Sequence, residues 1–221
     1  MNVSNIINYL SIFLALLLVL PLHEFAHAFV AVKCGDPTPK LNDRYTLNPF
    51  AHFDIFGLIS FVLVGFGWAK PVPINANNFT NYKRGCFLVS IAGVVANFLL
   101  AFVAYPLCLL ATYIPNFGYF DDVIFLILYY IFRLSLILFI FNLLPIYPLD
   151  GFRAIDAFCK KKGNVYQFWK KNSIYLLYLF FALGFLADML NVPELDVLGL
   201  AMNFLFKYVS FPVTAFWGLF F

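Results

Sequence analysis

Apolar residues run through this chain in blocks too long for a soluble core. Five of them, at 6–32, 86–114, 123–144, 174–190 and 197–216, are dominated by Leu, Ile, Phe, Val and Ala. About 20 such residues cross the hydrocarbon of a bilayer as a helix, so each block predicts a transmembrane helix. A sixth apolar stretch, 55–68, is shorter and interrupted by Gly57, Gly65 and Gly67. That length predicts a re-entrant or strand-like element and not a crossing. The longest polar region, 33–84, is rich in Pro, Asn and Gly and predicts loops and strands. The expected fold is an all-α polytopic membrane protein. It has about five transmembrane helices and a small re-entrant or β-hairpin element between the first two. With no internal repeat and no sizeable soluble segment, 1–221 reads as one membrane-embedded domain.

Composition agrees with this pattern. The chain is 63% hydrophobic and 11% charged, where a soluble domain carries about a quarter charged residues. Its net charge of +3 is too small to suggest a nucleic-acid partner; the distribution of charge is more informative. With 55–68 taken as re-entrant, Lys33, Lys40, Arg44, Lys70, Lys83 and Arg84 share a side with Arg153, Lys160, Lys161, Lys162, Lys170 and Lys171. The opposite loops hold Asp121, Asp122, Asp188, Glu194 and Asp196, with no Lys or Arg. Basic loops stay in the cytoplasm, which places the N-terminus outside and the C-terminus inside. Residues 33–84 then form a cytoplasmic-side loop and 151–173 a basic cytoplasmic loop. Its lysines set orientation or meet anionic headgroups. Cys34, Cys86, Cys108 and Cys159 have no C-x-x-C spacing, which argues against a disulfide framework or a thiolate zinc site. The first block lacks a basic segment ahead of it and a cleavage-site pattern, and is expected to be a retained helix.

Polar residues inside the first block change the picture most. His23-Glu24-Phe25-Ala26-His27 lies within an otherwise oily run, and ionisable groups at that depth are costly and usually functional. Residues four apart share a helix face, so both imidazoles can reach one metal ion, with Glu24 beside them as general base. Pro21 removes a helix hydrogen bond just before the pair, which either opens a water-filled pocket or makes a plain kink. A catalytic zinc takes three protein ligands and keeps one position open. The chain has three histidines, so the third ligand is His52 or a carboxylate. Asp150 is the favoured carboxylate. It follows Asn142-Leu-Leu-Pro145-Ile-Tyr-Pro148-Leu149, where two prolines end the third block, and Gly151 permits a sharp turn after it. The first and third blocks both run towards the cytoplasm, so Asp150 meets His23 and His27 from the same side. Read alone, it would be a solvated turn residue.

Together these residues resemble the site-2 protease family of intramembrane zinc metalloproteases. His23-Glu24-x-x-His27 matches its zinc helix, and Asn142-x-x-Pro145 followed by Leu149-Asp150-Gly151 matches its distal Asp-Gly motif. Three further segments are similar: 48–54 (Asn-Pro-Phe-Ala-His-Phe-Asp), 67–75 (Gly-Trp-Ala-Lys-Pro-Val-Pro-Ile-Asn) and Gly93-x-x-x-Asn97. They suggest the compact branch without PDZ domains. Val94 and Phe152 depart from the family pattern, in which a proline often follows the glycine and a small residue often follows Asp-Gly. Phe152 is expected to alter pocket shape.

The resemblance implies one Zn2+ per chain on His23, His27 and Asp150, with Glu24 as base. It implies hydrolysis of peptide bonds in or near transmembrane helices of protein substrates in a bacterial-type inner membrane. Asn97 and Asn142 are candidate oxyanion or substrate-backbone donors, or else interhelical hydrogen-bonding residues. Lys70, Pro71, Val72, Pro73 and Ile74 are a candidate edge strand for an unwound substrate, or a proline-rich loop. His52 and Asp54 are candidates for supporting the ligands or capping the re-entrant stretch. Arg133, ten residues into its block, needs a partner or an outward path; Asp121 and Asp122 are the nearest acids in sequence. Two other classes compete: a zinc transporter and a non-proteolytic zinc-binding membrane scaffold. Transport favours several ligand sets along a path, and a scaffold has no use for Glu24.

Overall fold

Each long apolar block folds as a helix, because a backbone in hydrocarbon must satisfy its own polar groups. In the computed structural model the described residues are 3–57, 60, 67–113, 119–159 and 162–221, without the side chains of 119–122. Helix α1 is Val3–Lys33, α2 is Tyr82–Ala111 and α3 is Tyr119–Leu143. A short helix, α4, covers Asp150–Phe158; α5 is Asn164–Leu190 and α6 is Val197–Trp217. Local chemistry sets several ends. The Asn81 side chain accepts the Arg84 amide at 3.1 Å to start α2, and Asp196 accepts the Gly199 amide at 2.9 Å to start α6. Asn191 closes α5 in the left-handed conformation that asparagine tolerates (φ 54°, ψ 42°). Helix α1 continues through Pro21, which is buried.

All of these helices except α4 contain a segment long and apolar enough to cross a membrane. Helix α2 is the centre, packing on α1, α3, α4 and α6. In its most apolar window 39% of residues are buried, against 6% in α6, which lies at the rim. Small residues make the close approaches: Ala15 and Val19 of α1, Ala101 and Ala104 of α2, and Val213 of α6 join Leu136 of α3. Large apolar side chains such as Phe13, Leu99, Val103, Phe185, Phe204 and Phe211 point outwards. At about 25 cal/mol per Å² that surface would be heavily disfavoured in water, and lipid is its proper solvent. The protein is an integral membrane protein. Arg133 is exposed on α3 and donates to the Tyr129 hydroxyl at 3.3 Å. The side chains of Asp121 and Asp122 lie outside the described residues.

The expected hairpin between α1 and α2 needs correction. Among the described residues no sheet forms; the β element reduces to one antiparallel bridge, Phe53 with Ala69. The prolines at 71 and 73 explain this, since they carry no amide protons for a ladder. Much of 55–68 falls outside the described residues, but its two ends meet. The Lys70 amide donates to the His52 carbonyl at 2.7 Å, and a Cβ on Gly57 would lie 2.1 Å from the Trp68 carbonyl oxygen. The chain thus enters and leaves this stretch at one place.

Candidate metal centre and active site

The H-E-x-x-H spacing on α1 stacks both imidazoles on one face, and α2 supplies the wall opposite. His23 Nε2 and His27 Nε2 are 3.1 Å apart. Asp150, the first residue of α4, places Oδ2 at 3.4 Å from the former and 3.1 Å from the latter. All three residues are buried. The donor chemistry shows what this cluster needs. His27 Nδ1 lies 2.7 Å from the Val89 carbonyl, an acceptor only, so Nδ1 carries a proton and, in the neutral ring, Nε2 turns a lone pair towards Asp150. Asp150 Oδ2 is itself buried without a hydrogen-bond donor. Lone-pair atoms this close repel unless they share a cation. Tetrahedral zinc at about 2.0–2.1 Å from each ligand atom separates neighbouring ligand atoms by roughly 3.3–3.4 Å. The observed triangle of 3.1–3.4 Å is close to one face of that tetrahedron. The residues fit the metal.

Helix α2 shapes this site from three positions four residues apart, which share one face. Val89 holds His27 through its carbonyl. Asn97 Nδ2 lies 3.0 Å from His23 Nδ1, and its Oδ1 is buried without a partner. Turning that amide by half a rotation lets Oδ1 accept a proton from Nδ1, which leaves Nε2 of His23 free to ligate, as in His27. Between them, Gly93 leaves the space the rings occupy: a Cβ there would lie 2.4 Å from His27 Nε2 and 2.5 Å from His23 Cε1. Asn97, expected as an oxyanion or substrate donor or as an interhelical hydrogen-bonding residue, lies here against His23 of the neighbouring helix. The Val89 carbonyl leaves no sequence signal, because any residue carries one.

Glu24 is half-buried on the same helix turn, and its Oε2 accepts the Val72 amide at 3.2 Å. This brings the segment 70–74 beside the His23, His27 and Asp150 cluster, although not as a strand. Lys70 and Asn75 donate their amides to the His52 carbonyl and to Asp36 Oδ2 (2.7 Å each), while Pro71 and Pro73 have none. Asp36 anchors the segment. Fully buried, it also accepts from the Asn78 side chain at 2.8 Å and from the Thr38 amide and hydroxyl. Burial raises its pKa, but the hydrogen bonds from Thr38, Asn78 and Asn75 outweigh that and hold it below the usual carboxylate value. The anchor is therefore ionised at neutral pH.

The remaining candidates lie elsewhere. His52 is fully buried, with Nε2 donating to the Thr46 carbonyl at 2.7 Å; the three-residue group that forms contains Asp150 and not His52. Asp54 accepts the Gly57 amide at 2.9 Å, a local cap. Asn142 donates to the Leu138 carbonyl at 3.0 Å, one turn back on its own helix. Phe152 is buried between Tyr147, at 5.7 Å between ring centroids, and Tyr166, at 5.9 Å.

Comparison with known proteins agrees with this geometry. Residues 118–186, which hold Asp150 but neither histidine of α1, match the family model for peptidase family M50. A Bacillus subtilis (strain 168) protein named "Putative zinc metalloprotease YwhC" is 42% identical over 152 residues. That match covers 65% of this chain and 66% of the relative, just under two thirds of its length. Over these residues the chain is similar to peptidase family M50. The resemblance to site-2 proteases thus has a footing outside the motifs themselves. No solved structure matches the chain.

Proposed function

We propose that this chain is a zinc-dependent intramembrane endopeptidase of peptidase family M50, of the site-2 type, cutting membrane-protein substrates in or near their transmembrane segments. The observation that carries the reading is the triangle of His23, His27 and Asp150 beside Glu24, in a protein whose long helices are apolar enough to cross a membrane. One zinc per chain would be held by those three side chains. When bound, zinc lowers the pKa of a water molecule and polarises the scissile carbonyl. Glu24 takes the proton of the attacking water and passes it to the departing amine nitrogen. The Val72 amide holds one oxygen of that carboxylate, and the other remains to take the proton. Val89 and Asn97 hold the imidazoles in register.

A substrate helix must unwind before its carbonyls can be reached. In our reading the unwound stretch lies along 70–74. Most amide protons there are already spent on the protein, so this edge offers substrate its carbonyl oxygens and the Ile74 amide. The basic loops, 33–84 and 151–173, lie in the cytoplasm with the C-terminus, the N-terminus lies outside, and the membrane is a bacterial inner membrane.

The test is cleavage of single-span substrates by the full chain in lipid vesicles, with products mapped by mass spectrometry. We expect cuts within or beside the apolar span, abolished by a zinc chelator and restored by zinc. Cleavage unaffected by stripping the metal, or confined to soluble peptides, would contradict the proposal.

A further inference from the structure

Asp150 sits at the end of a turn that cannot hold itself. Pro145 and Pro148 interrupt the backbone between α3 and α4. The turn keeps one short internal bond, Leu149 amide to Ile146 carbonyl at 2.8 Å, which leaves the Pro145 carbonyl and the Tyr147 amide in need of partners. Both partners come from α5. Trp169 Nε1 donates to the Pro145 carbonyl at 2.7 Å, and Ser173 Oγ accepts the Tyr147 amide at 3.0 Å. The two side chains are four residues apart, on one face of α5. Ser173 is 2% exposed. One turn before Trp169, Tyr166 stacks on Phe152, two residues beyond Asp150. On the other flank the turn is pressed against α3: a Cβ on Gly151 would lie 2.2 Å from the Leu143 carbonyl oxygen.

We propose that Trp169 and Ser173 are positioning residues for Asp150: through the backbone of 145–147 they set where its carboxylate meets the two imidazoles. Neither touches a ligand atom. Their effect passes through a turn with almost no hydrogen bonds of its own, and metal sites tolerate misplacement of only about 0.5 Å. Phe152, which departs from the family pattern, extends the same mount by reaching Tyr166. The inference rests on the reading of His23, His27 and Asp150 as a zinc site.

The experiment measures zinc affinity by chelator competition on the full chain in detergent, with helix content by circular dichroism alongside. Trp169→Phe keeps a ring and loses the donor, Ser173→Ala loses the acceptor, and Ser173→Thr keeps it. We expect Trp169→Phe and Ser173→Ala each to weaken zinc binding roughly 10-fold or more, as loss of ligand-orienting partners does. Ser173→Thr should stay near wild type, with helix content unchanged throughout. In an Asp150→Ala background the same two changes should add nothing, because the group they position is gone. Equal losses with and without Asp150 would overturn the inference, reducing both residues to general packing. Wild-type affinity in both single variants, with Asp150→Ala defective, would overturn it while leaving the zinc site standing. Undiminished affinity in Asp150→Ala would remove the zinc reading itself.

Discussion

Glu24→Gln should reduce peptide-bond cleavage by roughly 10²–10⁴-fold, the usual worth of a positioned general base, while zinc affinity stays within a few-fold of wild type. The two outcomes separate because Glu24 stands beside the metal cluster and not in it. Glutamine keeps the shape of the side chain and an oxygen that can accept the Val72 amide, now 3.2 Å from Glu24 Oε2. The segment 70–74 should therefore keep its place. Only the capacity to take a proton is lost. Single-turnover cleavage in lipid vesicles, paired with chelator competition, reads both quantities on one preparation. Cleavage at the wild-type rate would remove Glu24 from the mechanism. Loss of zinc with activity would make it a ligand or a structural prop.

Gly93→Ala is expected to be nearly as damaging, although it adds a single methyl group. The new carbon would lie 2.4 Å from His27 Nε2, 2.5 Å from His23 Cε1 and 2.7 Å from His23 Nδ1. Real Cβ atoms do not approach so closely, so either α2 moves away or both imidazoles leave their positions. Alanine raises helix propensity by about 1 kcal/mol over glycine; overpacking a tight interface costs about 1–3 kcal/mol. The balance favours a net loss of stability. Zinc affinity should fall roughly 10–100-fold, because Val89 and Asn97 no longer hold the rings correctly. Gly163→Ala is the control, since a Cβ at that position meets nothing within 4 Å. Chelator competition on both variants checks this. Normal zinc binding by Gly93→Ala would show that α2 does not form the wall of the site.

The sequence revealed most where one physical constraint dominates. Long apolar blocks must become helices in lipid, and the five predicted crossings correspond to α1, α2, α3, α5 and α6. Some ends shifted by several residues, as where Asn81 caps α2 ahead of its apolar block, whereas Asp196 caps α6 at the predicted start. The i, i+4 histidines and the proline-broken turn before Asp150 also left clear signals. Among the described residues no hairpin forms, since prolines that suit an edge also remove the donors a ladder needs. Other features were invisible for a different reason. The Val89 carbonyl and the Val72 amide are backbone groups, and Trp169 and Ser173 read as ordinary residues of the basic loop 151–173. Their importance arises from what the turn at 145–147 lacks, which only the assembled fold displays.

The most direct test of the central claim is zinc content per chain, for wild type and Asp150→Ala purified in mild detergent. The account predicts about one zinc in wild type, as expected for one closed set of three ligands, and a sharp reduction in the variant. A full complement of zinc in Asp150→Ala, or none in wild type after reloading, would contradict it.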